Sequence, residues 1–142
     1  MEIAALVAWL ATAAVGFFML MRWIRRGGLR NRAATHFPPG LVLTHFGLAA
    51  GGLVVWVAYL VTGSSWLAWV AVADLALVAT LGGVLVRRWT LDGRAAMAAG
   101  ARSTPVDLAE QHIPRPPVVL HGVLAVSTVV LVLLSAFGVG PA

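Results

Sequence analysis

The sequence predicts an all-α integral membrane protein, a bundle of four transmembrane helices. The chain of 142 residues is 61% hydrophobic and only 11% charged, which departs strongly from the composition of soluble domains. It also contains four apolar runs of about 20 residues, and a helix of that length crosses a hydrocarbon core of about 30 Å. We therefore predict one domain, residues 1–142, whose spans are residues 3–21, 41–61, 66–86 and 118–137. The runs are too long, and alternate too little, for the strands of a membrane barrel.

Each span has its own local signals. Positive charge follows the run 3–21 and no small-residue cleavage site comes after it, so we expect a helix that stays in the protein instead of a cleaved signal peptide. Pro38-Pro39 and Pro116-Pro117 precede the second and fourth runs, where proline fits the first turn of a helix. The third run contains Asp74, the only acid inside the spans.

The arginines predict the orientation. Ten arginines and no lysine occur, and all of them lie in the loops 22–40 and 87–117. The positive-inside rule places both loops in the cytoplasm and both termini outside the bacterial plasma membrane. The net charge of +5 then reflects orientation, with the lipid bilayer as its partner and no nucleic acid. Because the chain has no cysteine, disulfides, thiolate metal sites and covalent c-type haem are excluded.

The longer loop gives one further prediction. Thr104 is a plausible N-cap, with Pro105 at the first helical position and Asp107 in the first turn, so we expect a short surface helix that ends near His112. The Ala/Gly-rich stretch 91–102 gives no assignment.

A short internal repeat relates the two halves of the chain. HFPPGLVLTHFGLA at 36–49 and HIPRPPVVLHGVLA at 112–125 both read His-x-Pro, six residues, His. GFFMLMRW at 16–23 aligns with GGVLVRRW at 82–89. We therefore predict two tandem helical hairpins in the same orientation, related by a pseudo-two-fold axis along the membrane normal; the inverted repeats of many transporters run the other way.

The repeat suggests a cofactor site. His45 and His121 lie at matched depth, about 7.5 Å inside their helices, and ionisable groups at that depth seldom face lipid. Opposed across the axis, they are candidate axial ligands of haem b, which needs no thiol, and arginine binds carboxylates such as propionates well. The other residues predicted around the haem are Ala49, Gly52 and Ala125 beside the histidines and Arg22, Arg88 and Arg115 near the propionates.

Other interpretations use the same residues. Small side chains at these spacings also suit close helix packing without any ligand. His36 and His112 would lie at the membrane surface, where they have no necessary role, sense pH, or complete a four-histidine site for Zn or Cu with His45 and His121. Asp74, near mid-bilayer, is either a polar clamp between helices or a proton relay towards the histidines.

The segments LVLTHFGLAAGGLVVWVAYLVTG and EQHIPRPPVVLHGVLAVSTVVLVLL resemble small four-helix membrane proteins of actinobacterial type, a resemblance that implies the architecture but no activity. In architecture the chain is also similar to four-helix b-type cytochromes of the cytochrome b561 or respiratory-anchor kind. It departs from the two-haem plan of cytochrome b561, because its intramembrane histidines lie on one side of the bilayer, which supports one haem at most.

These observations rank three functions. The first is a b-type haem protein for electron transfer or haem handling, alone, as a homodimer or as a subunit of a larger membrane complex. The second is an accessory membrane subunit with no cofactor. The third is a histidine-based metal site or a proton-coupled carrier. No phosphate-binding glycine loop, nucleophile elbow or zinc-protease helix is present, so no catalytic residue is predicted and enzymatic activity stays open.

Overall fold

The computed structural model describes residues 1–99 and 108–139. These residues form helices and turns without any strand, which confirms the all-α prediction. The four long helices are α1 (Glu2–Arg25), α2 (Pro39–Thr62), α3 (Ser65–Ala99) and α4 (Arg115–Ala136). In the described parts of the longer connections lie the 3₁₀ turns Arg32–Ala34 and Ala109–His112.

Each of these helices is long and apolar enough to cross a membrane. The shortest, α4, has 22 residues, about 33 Å of helix at 1.5 Å per residue. In a bilayer the backbone groups of such a segment must be satisfied internally, which a helix does. The four-helix bundle of candidate transmembrane helices is therefore confirmed.

Helix α3 is longer than its predicted span, which stops at residue 86. It continues to Ala99 and so includes most of the unassigned stretch 91–102. Alanine has the highest intrinsic helix propensity, so this polar, alanine-rich segment extends the helix although it lacks the apolar pattern of a span. The predicted surface helix ends at His112 as a 3₁₀ turn, whereas its expected start at Thr104, Pro105 and Asp107 lies outside the described residues.

The helix ends follow local rules. Pro39 occupies the first position of α2, where its missing N–H and fixed φ are harmless. Gly63 ends α2 with φ of 65° and donates its N–H to the Tyr59 carbonyl at 2.8 Å. This left-handed conformation favours glycine and lets α3 begin at Ser65.

The helices pack chiefly in two pairs. α2 makes its largest interface with α3, and α1 makes its largest with α4, whereas the α1–α2 and α3–α4 interfaces are smaller. We call the end where α1 finishes and α2 and α4 begin the arginine-rich end. A core cluster lies there, and a larger one lies at the opposite end. The first contains Trp23, Phe37, Ala109 and Ile113; the second contains Ala5, Trp9, Trp56, Tyr59, Ala68, Ala71, Leu75 and Val132.

Candidate functional site

The structure brings His45 of α2 and His121 of α4 together inside the bundle. Their ring centroids are 6.3 Å apart, and the ring planes are inclined at 65°. Both side chains are half-buried. Two imidazoles from non-adjacent parts of the chain thus face one another near the arginine-rich end.

Backbone carbonyls of neighbouring helices hold both rings. His45 Nδ1 lies 3.0 Å from the Val78 carbonyl oxygen on α3, and His121 Nδ1 lies 3.0 Å from the Thr12 carbonyl oxygen on α1. A carbonyl only accepts, so each Nδ1 carries the hydrogen. In the neutral tautomer the lone pair then remains on Nε2, which is how a metal-binding histidine is commonly oriented.

Two glycines let the rings approach these helices. A Cβ atom at Gly16 would lie 2.9 Å from His121 Cε1, and one at Gly82 would lie 3.1 Å from His45 Cε1. Gly16 is four residues after Thr12, and Gly82 is four residues after Val78. Each imidazole therefore lies across a glycine and reaches the carbonyl one turn earlier, a position that a larger side chain would obstruct.

The two smaller helix interfaces differ beside the histidines. Phe17 of α1 and Phe46 of α2 make a ring contact with centroids 6.4 Å apart. The positions that the repeat aligns with them are Gly83 of α3 and Gly122 of α4. Both glycines are exposed, and a Cβ atom at either would meet nothing within 4 Å. Aromatic side chains thus lie at the α1–α2 interface, whereas the aligned positions of α3 and α4 are glycines, which have no side chain.

The predicted arginines lie towards the arginine-rich end from the histidines. Arg22 Nε donates to the His112 carbonyl oxygen at 2.6 Å, and Arg88 Nη1 donates to the His36 carbonyl oxygen at 3.4 Å. Each follows its glycine by six residues, about 9 Å along the helix. The third, Arg115, is exposed at the first position of α4.

Towards the opposite end, the predicted small residues have different surroundings. Ala49 and Ala125 are half-buried. Gly52 is buried, and a Cβ atom there would overlap Asp74 Oδ2 and lie 3.0 Å from Trp9 Cζ2. Gly52 is about two turns from His45. Asp74 and Trp9 fill the space beside Gly52 and therefore limit the space for a cofactor in that direction.

Asp74 faces α2, as this contact with Gly52 shows. Its Oδ2 atom is buried and has no hydrogen-bond partner among the described residues. The nearby hydroxyl groups have other partners: the Thr12 and Thr128 hydroxyls lie 3.1 Å from each other, and Ser127 donates to the Val123 carbonyl. The two roles of Asp74, clamp and relay, stay predictions.

A buried carboxylate that the sequence analysis missed ties the loops together. Glu110 is 0% exposed, and it accepts the Thr35 hydroxyl at 2.6 Å and the His36 backbone N–H at 2.7 Å. Trp23 Nε1 donates to the Thr35 hydroxyl and Trp89 Nε1 to the Glu110 carbonyl, each at 3.0 Å. The one available signal was the position of Glu110 two residues before the second His-x-Pro.

The remaining histidines have separate partners. His36 Nδ1 lies 3.0 Å from Asp92 Oδ1, and His112 Nδ1 lies 3.1 Å from the Leu108 carbonyl. Within the described part of the chain, the group of three or more potential metal ligands is His36, Asp92 and Glu110. That group differs from the four-histidine set which the sequence suggested.

Comparison of the chain with protein-family models, with curated proteins and with solved structures finds no match. Fold alone does not carry function. A function for this bundle has therefore to be argued from the chemistry of its own residues.

Proposed function

We propose that this protein binds one haem b between His45 and His121 and serves in electron transfer or haem handling in the membrane. The observation that carries the proposal is the pair of imidazoles 6.3 Å apart, each anchored through Nδ1 to a backbone carbonyl. A bound haem supplies a one-electron couple, and the protein supplies its ligands and surroundings.

The separation of the rings suits a shared metal ion. A histidine nitrogen binds a first-row metal at about 2.0–2.1 Å, so two imidazoles on opposite sides of one ion have ring centres roughly 6 Å apart. The anchored Nδ1 atoms leave Nε2 as the ligand on each ring. The ring centroids in the structure, 6.3 Å apart, are close to that separation.

The packing of the helices also suits a flat group. His45 lies on the α2–α3 pair and His121 on the α1–α4 pair, which are the two large interfaces. A planar macrocycle between these pairs would separate only the smaller α1–α2 and α3–α4 interfaces. The residues beside the histidines at these two interfaces, Phe17 and Phe46 on one side and the exposed Gly83 and Gly122 on the other, would adjoin a group bound there.

We further infer that the bundle consists of two tandem hairpins related by a pseudo-two-fold axis. The aligned residues make corresponding contacts: His121 lies on Gly16 as His45 lies on Gly82. Likewise, Arg22 donates to the His112 carbonyl as Arg88 donates to the His36 carbonyl. Each of these contacts joins one half of the chain to the other, and each has a counterpart with the halves exchanged. This correspondence supports a repeat whose two halves have the same orientation.

The arginines support the same site and its orientation. Arg22 and Arg88 lie about 9 Å from the level of the histidines, and Arg115 precedes His121 by the same six residues. Guanidinium groups bind carboxylates through paired, charge-assisted hydrogen bonds, so these three would bind the propionates. The arginine-rich end then faces the cytoplasm of a bacterial plasma membrane.

The visible spectrum of the purified full-length protein, produced with haem supply, tests the proposal. We expect a b-type spectrum with low-spin haem that changes on reduction. His45→Ala and His121→Ala should each lose the low-spin spectrum, because each removes one axial ligand. His36→Ala and His112→Ala are matched controls at the arginine-rich end and should retain it.

Three other results would refute the proposal of haem binding between His45 and His121. A protein that stays colourless after haem supply and contains no metal would be a cofactor-free accessory subunit. Zinc or copper without iron, lost in the His45→Ala variant, would indicate a histidine metal site. A haem spectrum that persists in both His45→Ala and His121→Ala would place the ligands elsewhere.

A further inference from the structure

We propose that His36, Asp92 and Glu110 form a second site, which binds a divalent transition-metal ion such as Zn²⁺ at the arginine-rich end. One potential ligand atom from each residue lies within 4.8 Å of the other two. The residues come from the loop after α1, from α3 and from the 3₁₀ turn before α4, so only the tertiary structure brings them together. The proposal does not depend on the haem.

The charges in this cluster are unbalanced. Glu110 is fully buried, and the partners of its carboxylate, the Thr35 hydroxyl and the His36 N–H, are neutral. Burying a carboxylate is costly unless opposite charge or a metal compensates for it. Among the described residues, the ion-pair partner of Asp92 is His36 itself, so the cluster combines two carboxylates with one imidazole.

The surroundings of the Asp92 carboxylate also favour an ion. Asp92 Oδ2 is buried and has no hydrogen-bond partner in the described part of the chain, although Asp92 Oδ1 contacts His36 Nδ1. Arg88 approaches, but its Nη1 donates to the His36 carbonyl oxygen instead of to a carboxylate. An ion beside Asp92 would therefore satisfy an oxygen that the protein leaves unpaired, and it would add the missing positive charge.

The ligand types select the class of ion. One imidazole nitrogen and two carboxylate oxygens suit Zn²⁺ and its first-row neighbours better than Mg²⁺ or Ca²⁺, which prefer oxygen alone. Zinc takes nitrogen and oxygen ligands at about 2.0–2.2 Å, which corresponds to ligand separations of roughly 3.3 Å. The His36 Nδ1 to Asp92 Oδ1 distance of 3.0 Å is close to that value. The His36 side chain is 56% exposed, so water can complete the coordination.

Zinc binding to the full-length protein in detergent, stripped of metal with a chelator, tests this site by calorimetry and metal analysis. We expect one zinc ion per chain. His36→Gln and Asp92→Asn should each weaken binding by at least about tenfold, since even groups that only orient metal ligands are worth 10–100-fold. His112→Gln is the matched control at the same end, and it should bind like the wild type.

Two additional measurements keep the result interpretable. The metal-free thermal midpoint of Asp92→Asn should stay near that of the wild type, which separates loss of a ligand from loss of the fold; Glu110→Gln is avoided because Glu110 is buried. The His45→Ala/His121→Ala double variant should still bind zinc at the cluster. The proposal is overturned if the wild type binds no zinc, if Asp92→Asn and His36→Gln bind it normally, or if the double variant loses it.

Discussion

Replacing the two glycines beneath the histidine rings tests how the rings are positioned. Gly16→Ala adds a methyl group 2.9 Å from His121 Cε1, and Gly82→Ala adds one 3.1 Å from His45 Cε1. Carbon atoms pack best at about 3.5–4.0 Å, so His121 must retreat by roughly 0.6 Å and His45 by about 0.4 Å. Each retreat strains a hydrogen bond of 3.0 Å to a carbonyl.

The cost follows from these distances. Overpacking a closed contact costs about 1–3 kcal/mol, and a weakened hydrogen bond adds about 0.5–1.5 kcal/mol. Replacing a helical glycine by alanine gains up to about 1 kcal/mol in propensity. With the full gain in propensity, we expect Gly16→Ala to lower the free energy of unfolding by about 0.5–3.5 kcal/mol, and Gly82→Ala by less, because its contact is longer.

Gly83→Ala is the matched control, since a methyl group at this neighbouring position meets nothing within 4 Å. It should leave stability unchanged or raise it by up to about 1 kcal/mol. Detergent-titrated unfolding, followed by tryptophan fluorescence, measures all three variants. Equal stabilities of Gly16→Ala, Gly82→Ala and Gly83→Ala would show that the rings are not held against these helices and would refute the reasoning.

Two further substitutions probe the buried polar groups. Gly52→Ala should lower the thermal midpoint, because its methyl group overlaps Asp74 Oδ2 and overpacking costs about 1–3 kcal/mol. Gly51→Ala is the control, since its methyl group meets nothing within 4 Å. Equal thermal midpoints of the two variants would contradict this expectation. Thr35→Val removes a donor from the buried Glu110 carboxylate and should cost about 1–3 kcal/mol in unfolding free energy. Thr35→Ser keeps the hydroxyl and should lose much less, so equal losses would argue against the hydrogen bond.

Part of the proposed cofactor site could be predicted from the sequence. The repeated spacing predicted that His45 and His121 share a depth and can oppose one another, because both the helix rise and the start of each span at proline are local properties. Gly16 and Gly82 appeared in the aligned segments, but their contact with the histidines was not predicted. That contact depends on which helices pair, and the apolar pattern of a lipid-facing helix does not specify this.

The cluster of His36, Asp92 and Glu110 could not be predicted from the sequence, for a related reason. Sequence spacing gave no reason to connect Asp92 or Glu110 with His36, since the two spans 41–61 and 66–86 lie between His36 and both carboxylates. Asp92 lies on a part of α3 that was not assigned, and Glu110 belongs to the predicted surface helix, where a charged residue would ordinarily be exposed. Its burial follows from the docking of both loops against Trp23 and Trp89.

The sequence by itself determined four apolar helices of membrane-spanning length, because length and hydropathy are summed within each segment and need no partner. The tertiary structure alone decided that α2 packs on α3 and α1 on α4, that glycines receive the imidazoles, and that Glu110 is buried beside His36. These outcomes depend on side-chain contacts between segments distant in the chain, where close packing selects among arrangements that the same apolar pattern permits.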